Sequence, residues 1–281
     1  MRSAGTCQTV GMDSRLVVLG SCGAWPEPGR ACSGFVIDHA GARIVLDLGY
    51  GTLPRLLALL GSSAADGIDA VIVTHAHPDH MVDLHGLLRA RCYGRRLAPP
   101  IPLHAPEPVL TRLTGLEDDG AEVVRQAFDW HPLPAAPQQI GPFRLESMLL
   151  PHYLPNSGVR LSGAGLTVAY TGDTGPDPGL AELGRDADLF IVDTTDRWQR
   201  HYAPDAPDVA PGPGLNLTAR EAGEAAAAAG ARRLLLTHFW PDNDREASRA
   251  AAAAAFRGEI LLADEGLEVP LGSVGPAGPA G

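Results

Sequence analysis

Val71-Ile-Val-Thr-His75-Ala-His77-Pro-Asp79-His80 decides how this chain folds and what chemistry it can carry. The apolar, β-branched residues before His75 read as a short buried strand that breaks at once into polar donors. Three imidazoles and one carboxylate stand within the six residues 75–80. Residues two apart share a face at a strand end, so His75 and His77 point the same way. Pro78 keeps His77 out of helical geometry, and Asp79 and His80 then turn toward the next helix. So short a stretch does not easily bring all four groups to one ion, whereas two adjacent ions can use them. Imidazole suits zinc, and a carboxylate can serve a second ion or orient a bound water. The alternative is a polar loop with accidental histidines. It has to explain H-x-H-x-D-H spacing in a chain with only 10 His among 281 residues.

Further ligands are expected in loops after other strands, where a rigid scaffold presents functional groups. His152 follows the strand-like run 143–150 through Pro151. Asp173 lies in Thr171-Gly-Asp173-Thr-Gly175, directly after the run 166–170, and His238 ends Leu234-Leu-Leu-Thr237. Taken singly, such a His is often a capping or surface residue and such an Asp a turn former. Beside the 75–80 cluster they read as the rest of a dinuclear ligand set. His39, His85, His104, His131 and His201 have no motif context and read as surface or core residues.

Composition narrows the chemistry. All 22 basic residues are Arg, so Schiff-base, phosphate-loop and general-base lysines are excluded. The formal charge of −11 argues against a protein that grips long nucleic acid over its whole face. The cysteines (Cys7, Cys22, Cys32, Cys92) show no C-x-x-C spacing, which disfavours a sulfur zinc site and fits reduced thiols. No signal-peptide pattern opens the chain and no apolar run reaches about 18 residues, so a soluble cytoplasmic protein without membrane contact is expected.

Residues 1–13 read as a disordered leader, 14–271 as a single domain and 272–281 as a disordered tail of Gly, Pro, Ala and Ser with one Val. Strands are expected at 15–19, 34–38, 43–47, 70–74, 102–104, 143–150, 166–171, 188–193, 233–237, 260–262 and 267–269. Helices are expected at 52–60, 84–90, 106–113, 218–229 and 244–255. Thr218 with Glu221 forms a capping box at one of these starts. Strands first, then strands alternating with helices, fit two sheets covered by helices.

His75, His77, Asp79, His80, His152, Asp173 and His238 occur in the order and strand-end setting of the metallo-β-lactamase-fold hydrolases, which this chain resembles over residues 15–270. Asp47 in Leu46-Asp-Leu-Gly49 is similar to that superfamily's early supporting aspartate. The resemblance implies an α/β fold, a four-layer αββα sandwich with two metals at one sheet edge. It places His75, His77 and His152 on one ion and Asp79, His80 and His238 on the other, with Asp173 bridging. Zinc is the expected metal and manganese the alternative. The segment from Leu19-Gly-Ser-Cys-Gly-Ala-Trp25 to Ser33, the start Leu217-Thr-Ala-Arg-Glu-Ala222 and Thr237-His-Phe-Trp-Pro241 resemble the ribonuclease Z and cyclic-nucleotide phosphodiesterase branch.

That branch implies a phosphodiesterase using a hydroxide held between two metals, with Asp79 orienting it. Two departures shift the expected substrate from tRNA to a small, even cyclic, nucleotide. Asn216 stands where ribonuclease Z-like chains tend to carry His, and no long basic insertion is present. Asn216 can hydrogen-bond in the site but cannot act as an acid at neutral pH. Arg30, Arg95 and Arg96 are the candidates for substrate phosphate, the last two beside Arg89 and Arg91 in the main basic concentration; a solvated helix end is the alternative. Trp198 and Tyr202, before the Pro-rich loop 203–214, are candidates for base stacking or for packing. A lactone, β-lactam or thioester hydrolase on the same metals is the second functional reading. A homodimer is compatible with the sequence.

Overall fold

The computed structural model describes residues 14–94, 99–196 and 215–272. The leader 1–13, Arg95 and Arg96, Trp198, His201 and Tyr202, the loop 203–214 and the tail from 273 lie outside the described residues. Strands β1 (Arg15–Gly20), β2 (Gly34–His39), β3 (Ala42–Leu48), β4 (Ala70–Ile72), β5 (Ile101–Ala105), β6 (Phe128–Pro132) and β14 (Glu268–Pro270) build one sheet, ordered β14-β1-β2-β3-β4-β5-β6. Strands β7 (Gln138–Ile140), β8 (Phe143–Leu150), β9 (Asn156–Gly163), β10 (Leu166–Tyr170), β11 (Leu189–Asp193), β12 (Arg233–Thr237) and β13 (Glu259–Leu262) build the other, ordered β13-β12-β11-β10-β9-β8-β7. Each sheet starts as an antiparallel meander and continues as parallel strands, from β3 in the first and from β10 in the second.

Alternation of side chains along each strand sorts the apolar residues into three layers. Leu16, Val18, Ile44, Leu46 and Ile72 meet Val168, Tyr170, Ile191 and Leu235 between the sheets. The intervening Val17, Val45, Val71 and Val73 pack outward under α1 (Thr52–Leu60), the short α2 (Pro78–Met81), α3 (Asp83–Tyr93), α4 (Glu107–Thr114) and α5 (Gly120–Ala127), through Leu56, Met81, Leu84, Leu88 and Val109. On the far side, Phe190, Val192, Leu234 and Leu236 pack under α6 (Gly179–Leu183), α7 (Ala219–Ala229) and α8 (Arg245–Ala253). Helix, sheet, sheet, helix is the four-layer sandwich expected.

Local signals fix several boundaries. Gly61 closes α1 with φ 62°, a left-handed cap that needs no Cβ. Thr218 accepts from the Glu221 amide while Glu221 reaches back, so the capping box starts α7. Strand β9 is missing from the sequence expectation. Its Asn, Ser and Gly residues are weak strand formers, and pairing with β8 on one side and β10 on the other overrides that preference. Among the described residues no helix is long and apolar enough to cross a membrane.

His104 on β5 is buried and stacks on His131 of β6, with ring centroids 4.7 Å apart and planes 17° apart. Burial and the neighbouring His131 push its pKa down to about 4 from an ordinary 6.5. The folded chain therefore refuses a proton that the unfolded chain accepts. Its contribution to stability is complete above about pH 6.5 and is lost as pH falls toward about 4. The difference in unfolding free energy between wild type and His104→Phe should change by roughly 3 kcal/mol between about pH 7 and about pH 4. Denaturant titrations at both pH values check this, and a difference that ignores pH would contradict it.

Candidate metal centre

Parallel strands bring their carboxyl ends to one edge of each sheet. In the first sheet β3 carries Asp47 to that edge, and β4 is followed there by residues 74–80. In the second, β10, β11 and β12 run parallel, while β8 and β10 share a direction because both are antiparallel to β9. His152, Asp173, Asp193 and His238 thus arrive at one edge from distant stretches of chain. The two edges are stitched together by Ser157 N–H donating to Thr74 O at 2.9 Å and Phe239 N–H donating to Ser21 O at 3.0 Å.

There the seven sequence-derived donors converge. One group holds His75, His77, His152 and Asp173, the other Asp79, His80, Asp173 and His238; the donor atoms of each lie within 4.8 Å of one another. His77 Nδ1 lies 3.0 Å from His75 Nε2 and 3.1 Å from His152 Nε2. Asp173 belongs to both groups, with Oδ1 3.2 Å from His80 Nε2 and Oδ2 3.1 Å from His238 Nε2 and 3.7 Å from His152 Nε2. Among the described residues His80 Nε2 and Asp173 Oδ1 are buried and, though 3.2 Å apart, have no well-aligned hydrogen-bond partner, which is costly unless a ligand satisfies them. The donor set, five imidazoles and two carboxylates, fits a pair of divalent ions.

The outward nitrogens are held from behind. His80 Nδ1–H donates to Asp47 Oδ2 at 2.7 Å, and His152 Nδ1–H donates to Leu215 O at 2.8 Å. Thr74 Oγ1 lies 3.1 Å from His75 Nδ1, and Thr195 Oγ1 lies 3.0 Å from His238 Nδ1. With the outer nitrogen protonated, each Nε2 presents a lone pair inward, the tautomer a metal needs. Two of the positions are strained: Asp47 and His238 have φ of 54° and 61°, unusual for residues with a Cβ. Gly23 is required for a different reason. A Cβ there would lie 2.7 Å from the His238 ring.

The two groups differ in charge. Burial, with the neighbouring imidazoles, holds His75 well below the ordinary histidine value, and burial lowers His77 and His152 too. Burial also opposes charge on His80 and His238, but Asp173 and Asp79 outweigh it and raise both. Asp173 is held well below the carboxylate range, since His238 and His80 outweigh its burial. Asp79 is lowered as well: His80 and His238 again overcome burial. Its Oδ2 accepts from the Ala24 amide at 2.7 Å and lies 3.3 Å from His238 Nε2.

A cavity of about 210 Å³ opens on these donors and is lined also by Ala24, Tyr153, Asn216 and Trp240. Asn216 lines it as the sequence suggests, and its Nδ2–H donates to Asp193 Oδ2 at 3.2 Å. Asp193 escaped the sequence reading; an acidic residue ending the fully buried strand β11 was the available signal. Burial, then the proximity of Asp173, pushes its pKa up to about 8. The described arginines among the candidates and their neighbours go elsewhere. Arg30 pairs with Asp264 at 2.5 Å and Glu265 at 3.1 Å, Arg89 with Glu117 at 2.7 Å, and Arg91 donates to Pro99 O at 2.6 Å. No described arginine lines the cavity. His39, His85, His104 and His131 stand outside both donor groups.

Residues 42–239 match the family described as beta-lactamase superfamily domain. An uncharacterized protein of Mycobacterium leprae is 33% identical over 273 residues, covering 91% of this chain and 87% of its own. Ribonuclease Z of Kineococcus radiotolerans is 30% identical over 291 residues, with 85% and 88% covered. The crystal structure of the metallo-beta-lactamase fold protein YhfI from Bacillus subtilis superposes with a TM-score of 0.76 at 23% identity, covering 92% of this chain and all of that one. The family match spans Asp47 and all seven donors, and the chain belongs to the beta-lactamase superfamily, as a metallo-hydrolase of that fold.

Proposed function

We propose that the chain is a phosphodiesterase for small nucleotides, cyclic ones included, working with two divalent ions, zinc or alternatively manganese. The observation that carries this reading is the position of Asp173 in both donor groups. Seven donors are too many for one tetrahedral ion. His75, His77 and His152 would hold one ion, and Asp79, His80 and His238 the other, with Asp173 between them. When bound, such a pair lowers the pKa of a water and neutralises charge developing on phosphoryl oxygens.

The chain's own groups do the rest. Asp47, Thr74, Thr195 and the Leu215 carbonyl fix the rings, so little reorganisation is needed when substrate arrives. The Ala24 amide fixes Asp79 Oδ2 toward His238. Asn216 supplies a hydrogen bond but no proton, so diesters with good leaving groups are favoured. A phosphodiester is favoured over a lactone or thioester by the relative named ribonuclease Z and by the aromatic side chains around the cavity. Long RNA is disfavoured by the net charge of −11 and a cavity without a described arginine.

Reconstituted protein should carry two ions per chain by elemental analysis, and a chelator should abolish turnover. Asp173→Ala should lower both metal content and kcat/KM, the latter at least ~100-fold. A fully active wild type with one ion would overturn the dinuclear reading.

Thr195→Val keeps the shape but removes the hydroxyl behind His238. Metal affinity should fall by about 10–100-fold with the fold unchanged by circular dichroism. Unchanged affinity in a competition titration would remove Thr195 from the centre.

The substrate reading is tested by kcat/KM for a cyclic nucleotide, an activated aryl diester, a lactone and a precursor tRNA under one metal condition. The aryl diester should outrun alkyl ones, and Asn216→His should help the poorer leaving group more. Efficient tRNA cleavage, or lactone turnover far above both diesters, would refute it.

A further inference from the structure

Two aromatic side chains beside the metal-centre cavity leave much of their rings in solvent. Trp25 is 47% exposed and Tyr153 57% exposed, where most large apolar side chains of the described residues are buried. Leaving a large side chain in water forgoes on the order of 2 kcal/mol of burial. Tyr153 follows His152 of one donor group and meets its ring edge-on at 5.3 Å. Trp240 lies two residues after His238 of the other group and lines the cavity with Tyr153. Trp25 braces Trp240 edge-on, with centroids 5.1 Å apart and planes at 68°. One aromatic ring therefore stands by each donor group.

The rest of the lining sets what can bind. Beyond the metal donors the described walls offer Ala24, Asn216 and these rings, and no guanidinium. Such walls give an anionic tail nothing to pair with. They give a flat heterocycle apolar faces on which to stack.

We infer that Trp240, braced by Trp25, and Tyr153 form a ring-binding subsite for the base of a mononucleotide whose phosphate lies at the seven-donor cluster. This rests on the phosphodiesterase reading and names the feature that selects its substrate. Trp240 supplies the stacking face and Trp25 is a positioning residue that holds the indole upright. Specificity then comes from the base, and the sugar-phosphate alone is bound by the centre.

Calorimetric titration of the zinc-loaded protein with AMP and with ribose 5-phosphate tests the subsite without relying on turnover. AMP should bind about ten-fold or more tightly than ribose 5-phosphate, the size expected of one stacked base. Trp240→Ala should erase that preference while leaving ribose 5-phosphate affinity within about two-fold, and Trp240→Phe should restore most of it. Tyr153→Ala, at an exposed position, should reduce the same preference if Trp240→Ala fails to fold. Equal affinity of the two ligands for wild type, or equal loss of both in the variants, would overturn the subsite. Diester hydrolysis measured on the same preparation separates the two readings. Hydrolysis without base preference removes the subsite alone, whereas base preference without any hydrolysis removes the phosphodiesterase and leaves the subsite.

Discussion

The carboxylate of Asp47 is the interaction on which the rest of this structure depends. It accepts from the Thr74 amide at 2.8 Å, the Thr74 hydroxyl at 3.0 Å, the Tyr170 hydroxyl at 2.8 Å and His80 Nδ1 at 2.7 Å. Those donors come from the ligand loop, the short helix Pro78–Met81 and the opposite sheet. One fully buried group thus aligns the histidine loop and pins the second sheet to the first. Buried polar networks of this kind stabilise only when every member is satisfied, and losing the acceptor would orphan several donors at once. The left-handed backbone at Asp47 costs on the order of 1–3 kcal/mol and is held by this network.

Charge at the centre follows from the same packing. Three imidazoles in the more neutral group are discouraged from protonation by burial and by one another, so they present lone pairs at neutral pH. The other group holds Asp79 with two imidazoles that carboxylates push toward the protonated form. Asp173 mediates between them. Positive charge placed among these donors takes over the role that protons otherwise fill, and metal affinity must rise with pH for that reason.

The fold and the seven donors were legible because each donor ends a strand whose apolar run is visible in the sequence. His75 to His80 are contiguous, and His152, Asp173 and His238 each follow a recognisable strand. Other features depend on partners far away in sequence. Arg30 reads as a phosphate ligand until its carboxylates, Asp264 and Glu265, are brought against it from more than 230 positions away. Asp193 and Thr195 act through Asn216 and His238, and only the sheet order joins them. Trp25 and Trp240 stand apart in sequence, and the contact of Phe239 with Ser21 brings their loops together. Strand β9 was hidden because its residues suit a turn, and two neighbouring strands hold it extended.

The division of donors between the sheets has a further consequence. Residues 75–80 belong to the first half of the chain, His152, Asp173 and His238 to the second, and neither half can complete a site. Ions that bind only the docked sandwich add their binding free energy to its stability, in proportion to the logarithm of the free ion concentration. Starvation for the metal would then do more than idle the enzyme. It would leave the two halves to their apolar interface and the hydrogen bonds across it, and raise the fraction of chains open to proteases.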